Sequence, residues 1–594
     1  MRFDAKQLRE MSKTVRAHAL NAVRNAGSGH VGIVLGAADI VTAVYANFLR
    51  PGVDKFVLSA GHGSALLYSV LALAGYDIDD LSEYRKFGGL PGHPEFGIDG
   101  VWATTGPLGQ GVGNAVGLAL AEKIRGTDGV VYCLCSDGDL SEGVAAEAIA
   151  FAGRYELNNL VLIWDDNGVS IDGAALVDVD MAARMAAAGW NVKYIDGNNF
   201  ADLNRALRSA TGGDGPTFID AKTVIGRESS LAGTSAAHGL ELSDSEMMLL
   251  VERNISYIGD ALWMMVAADA PKRYAPNYPK INVEKAPVPV ATGKISSREL
   301  SAMYLDSLLA NGAKLIGGSA DLGRNTGADV KHSMDIVAPD FRGNYINYGV
   351  REHAMGAIMN GLAIAGMRVY GSTFLVFSDY MRASIRLAAM SHLPVIYVFS
   401  HDSVAVGADG PTHQPVEQLA SLRLIPNLNV YRPCNGDEVA YAWKSAIASN
   451  MRPSAIILSR QKFEQIPTPN NAEIKRGAYV IYPAGARKVR VTIIATGAEV
   501  PLAVSVAKKL GDAVQVVSMP SVADFRRQDV KYKNKILVGY VVAIEAAASA
   551  PWFEFADAVV GIDSFGTSGD GGTVYSHFGF DTDVIARDIL NKIK

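Results

Sequence analysis

Two short polar pairs carry the first hint of chemistry. Asp137-Gly138 follows the apolar run 130–134, and Asn167-Gly168 follows the run 160–164, with Asp137 and Asn167 thirty positions apart. Carboxylate and amide oxygens suit a hard divalent cation, and Mg²⁺ commonly joins such groups to phosphate oxygens, so a diphosphate-bearing ligand is implied. Asp and Asn before Gly also form ordinary turns by themselves, and the spacing alone leaves both readings open. The string Thr-Thr-Gly-Pro-Leu-Gly-Gln-Gly at 104–111 opens a long helix of small residues. Its amino end could receive an anion; close helix packing through glycine is the other reading.

A second set of reactive side chains lies in the middle of the chain. Asp321 follows Leu315-Ile316, Glu352 follows the run 345–348, His401 follows 395–399, and Arg460 follows 456–458. Phe374, Phe377 and Tyr380 recur at helical spacing, a stripe that by itself reads most simply as core. The histidines at 30, 62, 93, 238, 401 and 413 lack compact zinc-ligand spacing and sit among glycine, proline or small polar residues typical of loops.

The elements that must position these groups follow from the rhythm of the chain. Short apolar runs such as 56–58, 130–134, 160–164, 395–399 and 491–494 alternate with longer segments of helical period. That alternation predicts parallel sheets flanked by helices, an α/β protein of three doubly wound parallel-sheet domains. In such sheets ligands collect beyond the carboxyl ends of the strands, where the polar residues named above fall. Proline-bearing stretches at 271–289 and 464–471 divide the chain into parts 1–290, 291–466 and 467–594. The last part has few clustered ionisable groups after its strands apart from Glu545, so a structural or assembly role is expected there.

Totals narrow the class further. At 594 residues, with 49% hydrophobic and 20% charged side chains, the chain can bury several cores and is not of the disordered type. A net charge of -6 argues against a broad nucleic-acid surface and leaves room for a local basic pocket. The three cysteines, Cys133, Cys135 and Cys434, cannot form a disulfide framework, and the first two read as buried strand thiols. With no uncharged stretch of bilayer length and no signal-peptide core at the start, no membrane association and a cytoplasmic location are expected.

The strings TGPLGQG at 105–111, GVRE at 349–352 and HDSVAVGADGPTHQP at 401–415, in this order, resemble the transketolase family, and the resemblance runs from Gly27 to near Phe580. It implies thiamine diphosphate as cofactor with Mg²⁺ or Ca²⁺ held by Asp137, Asn167 and the carbonyl of Val169. His62, Gly106, Pro107, Leu108, Gly138, Asn167, His238 and Asp321 would contact the cofactor, and Phe374, Phe377 and Tyr380 would surround its pyrimidine ring. Glu352 would protonate a nitrogen of that ring, a task that an apolar surrounding helps by holding the carboxyl proton. His30, His238 and His413 would join Glu352 as catalytic groups.

The same resemblance assigns the sugar. His93 and His413 would meet the ketol end of the donor, with His30 and His238 nearby, and Asp409 a hydroxyl further along. Arg298, His401 and Arg460 would take the phosphate, which arginine can clamp through a bidentate fork. The implied reaction passes a two-carbon ketol unit from a ketose phosphate to an aldose phosphate, in a homodimer with active sites at its interface, where Glu142 matches an interface acid.

Departures from the family pattern concern the surroundings of these groups. Val31 stands where proline is common, Ser136 where glycine is common, and Ser235-Ala236-Ala237 where a histidine-containing tripeptide is frequent. Asn325 falls near the expected phosphate-contacting serine, the connections 49–55 and 239–294 are short, and 566–572 is glycine-rich. Dihydroxyacetone synthase, 1-deoxyxylulose-5-phosphate synthase and a non-catalytic paralogue are the competing readings; the string 409–413 disfavours the second.

Overall fold

The computed structural model describes residues 2–174, 180–239, 241–271 and 273–593. Lys272, within the proline-bearing stretch, and Leu240, within the short connection, lie outside the described residues. Two compact units result: one comprises residues up to 277 with 337–342 and 356–367, the other 278–336, 343–355 and 368 onward.

The first unit is built on five parallel strands in the order Lys55–Leu58, Val131–Ser136, Leu160–Asp166, Thr217–Lys222 and Asn191–Asp196. Central strands covered on both faces must be apolar throughout, and Leu160–Asp166 is buried at every position. Cys133 and Cys135 are buried free thiols of the neighbouring strand, as their alternation in an apolar run predicts. The long helix Ala5–Ala26 begins at a capping box between Asp4 and Gln7 and ends where Gly27 takes the left-handed conformation at φ 63°. One helical stretch among the described residues, Val31–Phe48, has the length and apolar character to cross a bilayer. It is mostly buried within the protein, and its Asp39 pairs with Arg16 at 3.0 Å, which marks a core helix.

Among the described residues the second unit holds, besides a small antiparallel pair of Lys294–Ile295 with Phe463–Glu464, two large sheets. One has six parallel strands in the order Tyr345–Asn347, Gly317–Ser319, Tyr370–Phe374, Ile396–Ser400, Ser454–Leu458 and Asn429–Tyr431. The other has Tyr479–Tyr482, Val514–Ser518, Val491–Ala495, Tyr540–Ile544 and Ala558–Val560, with only the first strand antiparallel. The expected run Leu315-Ile316 enters the ladder at Ile316, which bridges Val369 in parallel, and the strand continues through Gly317–Ser319. A Cβ on Gly317 would lie 1.9 Å from the Tyr370 ring, and one on Gly318 2.3 Å from that of Tyr348. Aromatic neighbours occupy the space where strand side chains would stand, so the usual apolar signal is missing.

Candidate active site

In the first unit, four histidines from distant segments meet beyond the sheet. His62 lies in the single turn Gly61–Gly63 after the strand Lys55–Leu58, and His30 caps the helix Val31–Ala43. His238 follows the turn Ser235–Ala237, and His93 stands in a loop. The His30 ring lies 5.3 Å from His62, 5.3 Å from His238 and 6.1 Å from His93, while His62 and His238 stack at 5.1 Å. Burial, then the charges of His238, Arg85 and His93, push His30 down to about 4; burial, then His238, His30 and His93, push His62 down as well. These imidazoles are therefore neutral at pH 7 and can both donate and accept hydrogen bonds, as binding to sugar hydroxyls requires.

Beside this group the backbone comes unusually close to itself. Gly106 has φ 133°, and a Cβ there would lie 3.3 Å from the His93 ring; one on Gly61 would lie 2.6 Å from the Gly106 nitrogen. Thr105 Oγ1 donates to the Leu58 carbonyl at 2.8 Å, which fixes that approach. Pro107 and Leu108 are exposed next to it, and a Cβ on Gly138 would lie 2.9 Å from the Leu108 side chain. Glu142, assigned to an interface by resemblance, is exposed.

Two carboxylates separated by one residue have opposite fates. Asp139 is buried and saturated: its Oδ1 accepts from Ser59 Oγ and Gly109 N, both at 2.7 Å, and its Oδ2 from Ser136 N at 3.0 Å and Ser136 Oγ at 3.1 Å. Asp137 is also buried, yet neither carboxylate oxygen completes a hydrogen bond among the described residues; its own backbone and the Trp164 side chain offset its charge only in part. Burial, then Asp166 and Asp165, push its carboxyl up to about 7, the mark of a negative charge lacking compensation. Asn167, thirty positions on, has its amide held in place: Nδ2 donates to Asp165 Oδ2 at 3.2 Å, and Oδ1 accepts from Val169 N at 3.1 Å. No group of three or more His, Cys, Asp or Glu side chains is placed for a metal among the described residues. A cation at Asp137 would thus draw on amide and carbonyl oxygens, which suits Mg²⁺ or Ca²⁺. The orphaned carboxylate and the glycine-lined turns fit a metal-bound diphosphate.

In the second unit the expected sugar-facing residues line one cavity of about 460 Å³: Arg298, Asn325, Phe374, His401, Asp409, His413 and Arg460. Arg298 Nη1 donates to the Asn325 carbonyl at 2.7 Å and Arg460 Nη1 to the Val406 carbonyl at 2.9 Å, which aims both guanidinium groups while leaving other N–H groups to meet an anion. His401 stacks on Phe374 at 3.7 Å and contacts Ser400 Oγ through Nδ1 at 2.8 Å. Burial, then Arg298, Arg460 and His413, push His401 down to about 3. His413 contacts Thr412 Oγ1 through Nδ1 at 2.9 Å.

The three aromatics do not form the core stripe their spacing suggests by itself. Phe374 ends a strand and is buried, Phe377 is half-buried 6.1 Å from it, and Tyr380 is exposed 6.2 Å further on. The graded exposure leaves ring faces of Phe377 and Tyr380 available for contact. Glu352 starts the helix Glu352–Ile364 and is half-buried, so the apolar surrounding expected for it is partial; Thr373 Oγ1 donates to its Oε1 at 3.1 Å. Asp321 is exposed in the left-handed conformation at φ 64°.

Asp139 and Ser59 carry no signal of a role in the sequence, and Thr105 stands out there only as the start of TGPLGQG.

Comparison with known proteins agrees with this geometry. Residues 7–257 match the family description "Transketolase, thiamine diphosphate binding domain", 293–465 "Transketolase, pyrimidine binding domain", and 477–581 "Transketolase-like TK C-terminal domain". The transketolase of Bacillus subtilis (strain 168) is 39% identical, over 98% of this chain and 98% of its own. Among solved structures, Leishmania mexicana transketolase has a TM-score of 0.92 at 34% identity, covering 98% of this chain and 96% of its own. Pichia stipitis transketolase in complex with sedoheptulose-7-phosphate has a TM-score of 0.93 at 33% identity, covering 99% and 98%.

Fold and site together define a thiamine diphosphate-dependent transferase of the α/β type. The chain belongs to the transketolase family. Ketol transfer in sugar phosphate metabolism is the activity of that family.

Proposed function

We propose that this protein moves a two-carbon ketol unit from a ketose phosphate such as xylulose 5-phosphate to an aldose phosphate such as ribose 5-phosphate or erythrose 4-phosphate. The reaction would serve the non-oxidative pentose phosphate pathway, in the cytoplasm, through a homodimer with two equivalent active sites. The observation that carries the choice of substrate is the cavity of about 460 Å³ in which Arg298, His401 and Arg460 stand with Asp409 and His413. Two fixed guanidinium groups supply the charge for a phosphate, and the acid and histidines supply partners for hydroxyls.

Each residue has a distinct task. Asp137, Asn167 and the Val169 carbonyl would hold Mg²⁺ or Ca²⁺, whose charge relieves the uncompensated burial of Asp137. Gly106 and Gly138 carry no side chain of their own, so their backbone N–H groups can come close to the diphosphate. Phe374, Phe377 and Tyr380 offer ring faces to the pyrimidine, and Glu352 holds a proton at its ring nitrogen. Bound thiamine diphosphate supplies the electron sink for carbon–carbon cleavage. His30, His62, His93 and His238, neutral and mutually packed, orient the ketol hydroxyls and pass protons between substrate oxygens.

The test is a coupled assay with xylulose 5-phosphate and ribose 5-phosphate, with and without thiamine diphosphate and Mg²⁺, following glyceraldehyde 3-phosphate. Product that depends on both additions is expected. Its absence from folded, cofactor-bound protein would replace these substrates with others.

A further inference from the structure

The segment 401–413 supplies His401, Asp409 and His413 to the cavity, and it is held from behind by the part of the chain for which only an assembly role was expected. His401 is buried and carries a positive φ of 61°, a conformation costly for a residue with a Cβ and maintained only where the surroundings over-determine it. Its neighbour Asp402 is fixed by Arg432, whose Nε donates to Oδ2 at 2.9 Å, and both side chains are 1% exposed. Arg432 in turn donates to Thr496 Oγ1 at 2.8 Å and pairs with Glu499. Thr496 and Glu499 stand at the carboxyl end of the strand Val491–Ala495 in the last sheet.

The chain of contacts then returns to the cavity through one hydroxyl. Tyr575 donates its single O–H proton to Glu499 Oε1 at 2.6 Å, so its two lone pairs must accept. They meet Ser403 Oγ at 3.1 Å and Gln461 Nε2 at 3.1 Å. Ser403 is two residues after His401, and Gln461 is next to Arg460. A single oxygen from the last domain therefore ties together the two backbone segments that carry His401 and Arg460. The glycine-rich stretch beside it closes on the same segment: Gln414 Nε2 donates to the carbonyls of Gly407 and Thr567, both at 2.9 Å, and a Cβ on Gly410 would lie 2.3 Å from Ser568 Oγ.

We propose that the C-terminal domain sets the geometry of the phosphate-binding end of the active site, with Tyr575 as the positioning residue that holds the segments bearing His401 and Arg460 in register. Tyr575 does not line the cavity that contains those residues, and it also borders a separate space of about 920 Å³ that shares Arg298 and Arg460. Its influence is thus indirect. The inference rests on the reading that Arg298, His401 and Arg460 take the substrate phosphate.

The holoenzyme of Tyr575→Phe tests it with two donors, xylulose 5-phosphate and L-erythrulose, a ketose without phosphate. The KM for the phosphorylated donor should rise about fivefold to tenfold as the hydroxyl's contacts to Ser403 and Gln461 are lost and the two segments loosen, while kcat and the KM for erythrulose stay within about twofold. Ser403→Ala removes the other half of the same contact, so it should give the same selective loss, and the double variant should be no worse than either single one. Equal KM changes for both donors, no change for either, or independent losses that multiply in the double variant would overturn the proposal. Wild-type protein that uses neither donor would overturn the functional reading itself and this inference with it.

Discussion

The rim of the first unit and the cavity of the second handle charge in contrasting ways. In the first, the residue best placed for a ligand, Asp137, is a buried carboxylate whose oxygens complete no hydrogen bond among the described residues and whose charged neighbours Asp166 and Asp165 repel it. In the second, the cations are already oriented: Arg298 and Arg460 each give one hydrogen bond to a backbone carbonyl, and behind them Arg432 is enclosed by Asp402, Glu499 and Glu545. The first arrangement is unfavourable until a cation arrives, because a buried charge without compensation is costly. The second is stable beforehand and offers a formed surface to an anion. A tightly held cofactor suits the former, and a substrate that must leave at every turnover suits the latter.

The largest expected effect breaks the chemistry and leaves both regions standing. Glu352→Ala removes a half-buried carboxyl whose only hydrogen bond shown is from Thr373, so the fold should tolerate it. Turnover should fall by roughly 10²- to 10⁴-fold, the range for loss of a positioned acid or base. Cofactor-bound protein with wild-type kcat would remove Glu352 from its assigned role; an unchanged thermal midpoint separates this loss from unfolding.

Asp137→Ala and Asp139→Ala sharpen the comparison within the first rim. The Asp137 variant should lose metal-dependent retention of thiamine diphosphate by at least about tenfold, while the cofactor-free protein stays as stable as wild type or gains stability, since an uncompensated buried charge has gone. Asp139→Ala should do the reverse in the cofactor-free state, lowering stability by about 2 kcal/mol or more by stranding the donors of Ser59, Gly109 and Ser136. Calorimetry for binding and denaturant melts for stability read the two effects separately; equal behaviour of the two variants would dissolve the contrast.

That contrast also measures what could be read from the chain alone. The runs 160–164 and 395–399 are apolar because they are covered on both faces, so the sheets and the polar positions after their strands were legible. Gly317–Ser319 was not, because the packing there is supplied by Tyr370 and Tyr348 from elsewhere in the chain. Asp137 and Asp139 look alike in a string of residues, and only the positions of Ser59 and Gly109 distinguish the saturated acid from the orphaned one. The graded exposure of Phe374, Phe377 and Tyr380 was equally hidden, since helical spacing fits a core and a stacking surface alike. Tyr575 lies far along the chain from Ser403 and gives no local signal at all.

An acid titration probes the second region. His401 is held at about 3 in the folded chain against an ordinary value near 6.5, first by burial and then by Arg298, Arg460 and His413. The unfolded chain therefore takes up this proton first as pH falls. The stability that depends on a neutral His401 is complete above about 6.5 and is lost progressively down to about 3. His401→Gln removes that proton uptake, so its thermal midpoint should decline less steeply than wild type across this window. Parallel acid limbs would show that His401 titrates normally in the folded protein.

The smallest effect is expected where this chain departs from its family in the cavity. Asn325 stands near a position expected to be serine, yet Arg298 is anchored by the Asn325 backbone carbonyl at 2.7 Å, and that contact survives any change of side chain. Asn325→Ser should therefore leave Arg298 in place and change only a neutral hydrogen-bonding group at the cavity wall. A neutral hydrogen bond contributes about 1 kcal/mol or less here because water competes for it, so the KM for xylulose 5-phosphate should move by no more than about fivefold, with kcat unchanged. A shift of a hundredfold would mean that the Asn325 side chain bears charge-assisted contact with the phosphate. The cationic surface would then be only partly formed before substrate arrives, and the second region would be closer in kind to the first.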